Sequence, residues 1–294
     1  MAAQKMPAAE VDITPELVRK LLAEQHPDLA ELELVELANG WDNVIFRLGD
    51  ELTVRLPRRG MAANLVEHEQ AVLPGLAAVL PIPIPAPVRV GRSALGYPWS
   101  WSVNPWIPGT VAATTPISDP TREAQRLGEF MAALHATAPA HAPANPYRGH
   151  FIGTNTEVNV GRAVELEWGD DMLARWRDLV DVEPWAHAPT WIHGDLHGAN
   201  MLVDGGVISG VIDFGDVCAG DPATDLSIAW SMFDTDDRAV FRAAAGRGEH
   251  EVDDATWQRA EAWALHFAVI YTLHSADNPT MGAIGEKLRT VLLG

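Results

Sequence analysis

The sequence contains one cysteine, no long apolar run and few basic residues. Cys218 is the only cysteine among 294 residues, which excludes an intramolecular disulfide and indicates a reducing compartment. No apolar stretch reaches the roughly 18 residues that a membrane span requires, and the N-terminus lacks the charged and then apolar pattern of a signal peptide. These features predict a cytoplasmic protein without a membrane partner, in which Cys218 is a small buried side chain.

The charge is strongly one-sided. The chain has 21 Lys and Arg against 40 Asp and Glu, a formal net charge of −19. Nucleic acid is therefore not an expected partner, because its binding requires a basic surface. An acidic cleft would attract a small cationic ligand, whereas a generally acidic surface would serve only solubility. The charge leaves both interpretations open, and the sequence does not predict an oligomeric state.

The apolar content is that of a folded protein. Hydrophobic residues make up 47% of the chain, enough for a sizeable core and too many for a disordered chain. At roughly 150 residues per domain, the length suggests about two domains.

The most informative segment spans residues 191–215 and reads W-I-H-G-D-L-H-G-A-N-M-L-V-D-G-G-V-I-S-G-V-I-D-F-G. Asp195 is followed five positions later by Asn200, and Asp213 opens an Asp-Phe-Gly triplet thirteen positions after Asn200. Protein kinases carry H-R-D-x-x-x-x-N and then D-F-G, where the first Asp is the base and the Asn and last Asp bind magnesium. The spacing therefore predicts the same three roles here.

A hairpin would bring the two metal ligands together. Residues 201–203 and 207–212 are apolar runs separated by Asp-Gly-Gly, a hairpin turn signal. Antiparallel pairing returns Asp213 close to Asn200, so two hard oxygen ligands converge on one Mg²⁺. The alternative is an ordinary hairpin with capping Asp and Asn residues in its loops, which the kinase spacing disfavours.

Gly194 stands where protein kinases have the Arg of His-Arg-Asp. With His-Gly-Asp in its place, the segment resembles the aminoglycoside phosphotransferase family, the small-molecule branch of the protein-kinase-like fold. The resemblance implies a bilobal α+β fold. It places an N-terminal nucleotide-binding lobe, with an antiparallel sheet plus helix, at residues 1–104 and a mainly helical C-terminal lobe at residues 105–294, joined by a hinge at about 104–109. ATP or GTP and Mg²⁺ are the implied cofactors.

The N-terminal pattern agrees with such a lobe. Residues up to about Pro7 are expected to form a disordered tail. Thr14-Pro15-Glu16 is an N-cap, a proline and an acidic first turn, which predicts a helix through about Glu24. Residues 33–38, 44–48 and 52–56 alternate apolar and polar side chains, which predicts three antiparallel strands.

Nucleotide contacts are implied at three places. In the turn at 39–43, Gly40, Asp42 and Asn43 would cover the phosphates, although a plain hairpin turn explains them equally well. Arg55 stands in the third strand where the family has lysine, and it would contact the α- and β-phosphates as a planar fork. Glu69, on a helix over residues 65–73, would pair with Arg55. Glu67 is the second candidate for this ion pair. Alternatively, both glutamates belong to a solvent-exposed helix face and have no role at the nucleotide.

The predicted hinge follows an aromatic strand at residues 97–103. By the resemblance, the Pro105 carbonyl and the Ile107 amide would read the nucleotide base. The intervening Trp106 could instead be plain core.

Two further residues are implied as supports of the catalytic loop. His193 would brace the loop, and Asp225, in Gly-Asp-Pro-Ala-Thr-Asp-Leu, would tether its backbone. Asp225 could also cap a helix over residues 226–233. Another helix is predicted over residues 165–180 by its apolar spacing.

A small-molecule acceptor is favoured over a peptide, because the Ala-Pro-Glu of protein kinases is absent and the short interval between Gly215 and Gly220 leaves no room for a peptide-docking loop. Acidic residues would suit a polycationic aminoglycoside, while aromatic residues would suit a macrolide. Arg55-Leu-Pro-Arg-Arg59 also resembles a run in macrolide phosphotransferases. The substrate-binding candidates are Asp234, Asp236, Trp230, Trp263 and Tyr271.

Three functions follow from these patterns. The favoured one is Mg²⁺-dependent transfer of the γ-phosphoryl group of ATP or GTP to a hydroxyl of a small molecule, most simply an aminoglycoside-type antibiotic. The second keeps the chemistry and changes the acceptor to a macrolide or to a metabolite such as choline, homoserine or a sugar. The third is a catalytically silent nucleotide-binding module, which retention of Asp195, Asn200 and Asp213 disfavours.

Overall fold

The computed structural model describes residues 8–294, and the predicted tail up to about Pro7 lies outside the described residues. Contacts divide the described chain into two compact units. The first comprises residues 8–79 and Pro83–Ile107, and the second comprises Leu80–Ile82 and Pro108–Gly294. The unit boundary after Ile107 falls within the predicted 104–109 segment.

The first unit is built on a five-stranded antiparallel sheet. Its strand order is β1-β2-β3-β5-β4, so the three predicted strands form consecutive hairpins. Helices α1 and α2 accompany the sheet. The elements are α1 Pro15–Gln25, a 3-10 helix at Pro27–Leu29, β1 Leu34–Asn39, β2 Asn43–Leu48, β3 Leu52–Pro57, α2 Gly60–Ala77, β4 Arg89–Gly91 and β5 Trp101–Pro105.

The start of α1 follows the predicted capping pattern. The Thr14 hydroxyl oxygen accepts a hydrogen bond from the Leu17 amide at 3.2 Å, which satisfies one of the free N–H groups of the first turn. Val18 and Leu22 of this helix are fully buried against apolar strand residues such as Phe46. Burial of this face stabilises the sheet that carries the nucleotide-binding candidates.

The strand predicted at residues 97–103 begins later, at Trp101. Leu95 and Gly96 have positive φ angles, and the Ala94 and Tyr97 backbones bond to each other across this turn. The Tyr97 hydroxyl donates to the Pro57 carbonyl at 2.8 Å. Tyr97 is therefore a buried turn residue, and the tight turn takes the place of the first part of the predicted strand.

The second unit is mainly helical with two small sheets. Helix α3 packs on α8, and the long helix α9 packs on α10. Strand β6 extends the β8–β9 hairpin, and β7 pairs with β10. The elements are β6 Thr110–Val111, α3 Pro120–Leu134, a 3-10 helix at Ile152–Asn155, α4 Thr156–Glu165, α5 Gly169–Val180, β7 Thr190–Ile192, a 3-10 helix at Gly198–Asn200, β8 Met201–Asp204, β9 Val207–Val211, β10 Cys218–Gly220, α6 Ala223–Leu226, α7 Ile228–Met232, α8 Thr235–Ala245, α9 Asp254–His274 and α10 Pro279–Leu293.

Two predicted helices are wrong in extent. The segment 165–180 holds the last residue of α4 and then α5, because Glu167 has a φ of 59° and breaks the helical path between them. The helix predicted at 226–233 is two short helices, α6 and α7, and Asp225 lies inside α6 and is not its N-cap. No helix in the described part of the chain is long and apolar enough to cross a membrane.

Candidate active site

The loop after β7 carries Asp195, and a buried carboxylate holds its backbone. Asp225 is fully buried and accepts hydrogen bonds from the amides of His193 at 2.7 Å and Gly194 at 2.9 Å. The His135 ring reaches the same carboxylate at 3.3 Å. Charge-assisted bonds of this kind are stronger than neutral ones, so Asp225 fixes the start of the loop just before Asp195.

His193 links the loop to the end of β9. Its Nε2 lies 2.9 Å from the Ile212 carbonyl oxygen, and the Asp195 amide donates to Nδ1 at 3.2 Å. A carbonyl can only accept and an amide can only donate, so the proton is on Nε2. The ring therefore joins the residue before Asp213 to the backbone of Asp195.

The geometry at Gly194 explains why this position is not arginine. Gly194 has a φ of 87°, and a Cβ atom there would lie 2.6 Å from the Asp216 carbonyl oxygen. A side chain would therefore meet both backbone strain and a clash with fixed backbone.

Asn200 and Asp213 are adjacent through the backbone. The Ile212 amide donates to the Asn200 carbonyl at 2.9 Å, and the Asn200 side-chain nitrogen donates to the Asp195 carbonyl at 2.9 Å. This bond leaves the amide oxygen of Asn200 for another partner. Asp213 is exposed and has a φ of 61°.

These two oxygen donors fit Mg²⁺. Protein sites for this ion supply one or two hard oxygen ligands and leave the remaining positions to water and phosphate. Within residues 8–294, no group of three or more His, Cys, Asp or Glu side chains is arranged to hold a metal ion. A site made by Asn200 and Asp213 needs no third acidic ligand.

Asp195 sits among cationic and hydrogen-bonding groups. Burial would raise the pKa of its carboxyl, but His197 at 3.5 Å and Arg148 at 3.2 Å together hold the pKa of Asp195 well below its usual range. Its side chain retains 30% exposure. Asp195 is therefore ionised at neutral pH and is a weak base.

Three residues that the sequence patterns did not single out surround Asp195. His197 could have been suspected from its place two residues after Asp195, and Asp216 from its place directly after Asp-Phe-Gly. No local sequence pattern indicated a functional role for Arg148, because it lies in an irregular segment rich in Pro, Gly and Asn. Its Nη2 atom lies 3.2 Å from Asp195 Oδ1 and 3.7 Å from Asp216 Oδ2.

Two of the five substrate-binding candidates belong to the cluster around Asp195. Tyr271 lies edge-on to the His197 ring at 5.5 Å and stacks on Phe267 at 5.3 Å, and Trp263 lies 5.5 Å from Phe267. Burial, followed by the negative charge of Asp195, raises the pKa of Tyr271 well above its usual value. Its phenol is therefore protonated at neutral pH.

The other three candidates have other contacts. Trp230 is 5% exposed and packs on the Trp257 ring at 4.6 Å. Asp234 caps α8 by accepting a hydrogen bond from the Asp237 amide at 3.0 Å, and Asp236 is exposed in the first turn of that helix.

In the first unit, Arg55 pairs with one of the two candidate glutamates. Its Nη1 atom lies 2.7 Å from Glu69 Oε1, and both side chains are buried. Glu67 is exposed and accepts from the Ser100 hydroxyl at 3.0 Å. With the amide of Asn43 oriented so that its oxygen faces the guanidinium, Asn43 also accepts from Arg55 at 3.0 Å and 3.3 Å. The buried pair and the partly exposed turn residue therefore form one hydrogen-bonded network.

The turn at 39–43 is tied to the arginines that follow β3. Arg58 donates from Nη1 to the Gly40 carbonyl at 2.9 Å and from its amide to the Asp42 carbonyl at 2.8 Å. Arg59 forms an ion pair with the Asp42 carboxylate. The run from Arg55 to Arg59 therefore holds the turn in place from the strand side.

The predicted hinge begins at the end of β5. Pro105 pairs with Leu52 in the sheet, and the Trp106 amide donates to the Glu51 carbonyl at 2.7 Å. The Trp106 ring lies under the Arg47 guanidinium at 4.0 Å. Trp106 therefore packs against the edge of the sheet and bonds to it through its amide. Ile107 is buried, with 6% exposure.

Comparison with solved structures shows which fold this chain has. The GDP complex of wild-type aminoglycoside 2'-phosphotransferase-IIIa aligns with a TM-score of 0.67 at 20% identity, over 95% of this chain and 98% of that one. Macrolide 2'-phosphotransferase MphH from Brachybacterium faecium aligns with a TM-score of 0.61 at 20% identity, over 93% and 98%. The predicted α+β, bilobal protein-kinase-like fold is confirmed.

The family follows from the sequence match. Residues 33–263 match the model of the phosphotransferase enzyme family, abbreviated APH. The chain belongs to this family and is a small-molecule phosphotransferase, as the sequence predicted.

Two curated enzymes show how distant its relatives are. Viomycin phosphotransferase of Streptomyces vinaceus is 26% identical over 249 residues, which cover 78% of this chain and 82% of that enzyme. Aminoglycoside 3'-phosphotransferase of Salmonella typhimurium is 25% identical over 183 residues, which cover 59% of this chain and 65% of that enzyme. The second match thus spans slightly less than two thirds of the aminoglycoside enzyme.

Proposed function

We propose that this chain catalyses the Mg²⁺-dependent transfer of the γ-phosphoryl group of ATP or GTP to a hydroxyl group of a small molecule, in the cytoplasm. The observation that carries the proposal is the bonded loop around Asp195. Asp225 fixes the backbone before it, and Asn200 donates to its carbonyl. Phosphoryl transfer depends on positioning and charge stabilisation, which a rigid loop of this kind supplies.

In the proposed reaction Asp195 orients the acceptor hydroxyl. The hydroxyl oxygen forms a bond to the γ-phosphorus, and the bond from that phosphorus to the β–γ bridging oxygen breaks. The hydroxyl proton passes to an oxygen of Asp195 and from there to water, and the nucleoside diphosphate leaves. Because its pKa lies well below the usual range, Asp195 accepts the proton late, when bond formation has made the hydroxyl acidic.

The charged groups of the nucleotide have proposed partners as well. Asn200 and Asp213 would hold Mg²⁺, which neutralises charge on the phosphates when it is bound. Arg55, positioned by Glu69, would contact the α- and β-phosphates, and Gly40, Asp42 and Asn43 would cover them. The Pro105 carbonyl and the Ile107 amide would bind the nucleotide base. The matched structures include a GDP complex and a ternary complex with ATP, which supports a purine nucleotide as donor.

The acceptor is proposed at the level of a hydroxylated small molecule. The names of the relatives point to aminoglycosides, viomycin and macrolides, so an aminoglycoside-type antibiotic is the first acceptor to test. Macrolides and metabolites such as choline, homoserine or a sugar are the alternatives.

Nucleotide consumption by the full chain tests the proposal. ATP or GTP is supplied with Mg²⁺ and with each acceptor in turn, and mass spectrometry detects the phosphorylated acceptor. We expect acceptor-dependent turnover that stops when EDTA removes the metal and returns when Mg²⁺ is added. Tight nucleotide binding without phosphorylation of any acceptor would contradict the proposal and favour the silent nucleotide-binding module.

A further inference from the structure

The segment that carries Arg148 is bonded to the chain after Asp-Phe-Gly on both sides of this residue. Before Arg148, the Ala219 amide donates to the Pro143 carbonyl at 2.9 Å. The Asn145 side chain donates to the Asp216 carboxylate at 2.8 Å. These two bonds fix the path of the chain towards Arg148, although the segment contains no helix or strand.

The bonds after Arg148 involve the next residue along the chain. The Gly149 carbonyl accepts from the Asp221 amide at 2.8 Å, and the Gly149 amide donates to the Thr224 hydroxyl at 3.2 Å. Gly149 has a φ of 69°, and a Cβ atom on it would lie 2.7 Å from the Gly220 Cα. Because only glycine allows two backbones to approach this closely, the backbone position of Arg148 is fixed.

The guanidinium group of Arg148 is held as well. Its Nη1 donates to the Tyr147 carbonyl at 3.3 Å, and its Nη2 lies 3.7 Å from Asp216 Oδ2. Its central carbon lies 5.4 Å from the centre of the Phe267 ring, and the side chain is only 18% exposed. A planar guanidinium with these contacts has little freedom to turn. Its Nη2 therefore stays directed at Asp195 Oδ1, which is 3.2 Å away.

Arg148 and His197 hold different oxygens of the Asp195 carboxylate. Arg148 Nη2 lies 3.2 Å from Oδ1, and His197 Nε2 lies 3.5 Å from Oδ2. A carboxylate has about four acceptor positions on its two oxygens, so these contacts leave positions for a further donor. The Asp195 side chain is 30% exposed. The carboxylate is therefore fixed in orientation while part of it stays accessible.

We propose that Arg148 is a positioning residue that fixes the Asp195 carboxylate in the orientation needed to accept the hydrogen bond of the acceptor hydroxyl. This inference rests on the proposed phosphotransferase function and deepens it at the same site. Phosphoryl transfer depends mainly on positioning, and a displacement of about 1 Å can lower the rate roughly 100-fold. Arg148 acts through Asp195 and does not contact the acceptor, so it affects the rate and leaves acceptor choice to other residues.

Steady-state kinetics of Arg148→Gln test the inference, with ATP, Mg²⁺ and an acceptor that the wild type phosphorylates. Glutamine removes the charge and the planar fork. We expect kcat to fall on the order of 10- to 100-fold, while KM for the acceptor and for ATP changes less than about threefold. Arg148→Lys keeps a charged donor and should show the same pattern with a smaller loss, and it carries the test if the glutamine variant does not fold. Arg177→Gln, at an exposed position of α5, should leave kcat and KM unchanged.

A double-mutant cycle separates the positioning of Asp195 from a general structural role. If Arg148 acts through Asp195, its substitution should matter little once Asp195→Ala has removed the carboxylate. The residual turnover of Asp195→Ala, measured by mass spectrometry of the phosphorylated acceptor, should therefore agree within about threefold with and without Arg148→Gln. Urea denaturation checks that each variant is folded.

Three outcomes would overturn the inference. Wild-type kcat in every folded Arg148 variant would leave Arg148 without a role in turnover. A higher KM for the acceptor at unchanged kcat would make Arg148 a binding residue. An equal loss from Arg148→Gln with and without the Asp195 carboxylate would make it a structural support that does not act through Asp195. All three leave the proposed function intact, whereas a wild type that phosphorylates no acceptor would overturn the proposed function and this inference with it.

Discussion

The Asp195 side chain is partly buried and yet has a low pKa. Burial penalises its charge, yet His197 and Arg148 stabilise that charge more strongly, and the pKa of Asp195 stays well below the usual range. The carboxylate is therefore charged throughout the neutral range. Such a group can orient a hydroxyl by accepting its hydrogen bond, and only late in the reaction can it take the proton.

His266, in contrast to Asp195, is uncharged in the folded chain at neutral pH. Its burial predicts that stability depends on pH. Burial first, and then the charges of Arg148 and Arg162, lower its pKa to about 3, and its Nδ1 lies 2.7 Å from the Asn159 side-chain oxygen. The unfolded chain takes up this proton near pH 6.5 and the folded chain near pH 3. Acid therefore favours the unfolded state, and stability falls as pH drops from about 6.5 towards 3.

We expect His266 to lower the free energy of unfolding by about 2 kcal/mol between pH 7.5 and pH 5. Urea denaturation at both pH values measures this difference in the wild type. His266→Gln should remove that part of the pH dependence, while His141→Gln at the surface should keep it. An equal pH dependence in the wild type and in His266→Gln would contradict the assignment.

At the scale of elements, the loop that carries Asp195 depends on the backbone at Gly194. Gly194→Ala introduces a Cβ atom at a φ of 87°, 2.6 Å from the Asp216 carbonyl oxygen. We expect the free energy of unfolding to fall by more than about 1 kcal/mol, and turnover to fall because the backbone of Asp195 moves.

Gly161→Ala is the matched control, because Gly161 lies within α4 and a Cβ atom there would meet nothing within 4 Å. This substitution should stabilise the chain by about 0.4–1 kcal/mol and leave turnover unchanged. Thermal or urea denaturation of both variants provides the comparison. Equal effects of the two substitutions would contradict the strained role of Gly194.

The ion pair between Arg55 of β3 and Glu69 of α2 leads to a separate prediction about nucleotide affinity. Glu69→Ala leaves Arg55 buried without its carboxylate partner, which we expect to lower the free energy of unfolding by about 3 kcal/mol. Nucleotide affinity should fall tenfold or more, since Arg55 would lose its position. Glu67→Ala, on the exposed face of α2, should change stability by less than about 0.5 kcal/mol.

Fluorescence titration with ATP and urea denaturation measure both effects. Equal losses in the two glutamate variants would contradict the assignment of Glu69. An unchanged nucleotide affinity in Glu69→Ala would remove Arg55 from the proposed phosphate contacts.

Most elements could be predicted because their patterns are local. The capping pattern at Thr14 predicts α1, and the Asp-Gly-Gly turn predicts the β8–β9 hairpin that places Asp213 beside Asn200. The break at Glu167 could not be predicted, because the apolar spacing continues through it. Arg148 could not be predicted either, since contacts with residues far along the chain bring it to Asp195.

At the scale of the whole molecule, the net charge of −19 does not describe the surroundings of Asp195. The acidic candidates Asp234 and Asp236 lie at the start of α8, and the groups that touch Asp195 are an arginine and two histidines. Overall charge is a property of the surface, whereas acceptor choice depends on a few side chains. The sequence therefore predicted the reaction class from spacing, and the structure showed which charged side chains lie beside Asp195.

The turnover number of Asp195→Asn, measured with an acceptor that the wild type phosphorylates, tests the proposed role of Asp195 most directly. Asparagine keeps the size of the side chain and removes the charge, so nucleotide affinity should be retained while kcat falls by about two to four orders of magnitude. Asp204→Asn, in the exposed hairpin turn, should retain full turnover. Wild-type kcat in Asp195→Asn, with a folded protein and bound nucleotide, would contradict the account.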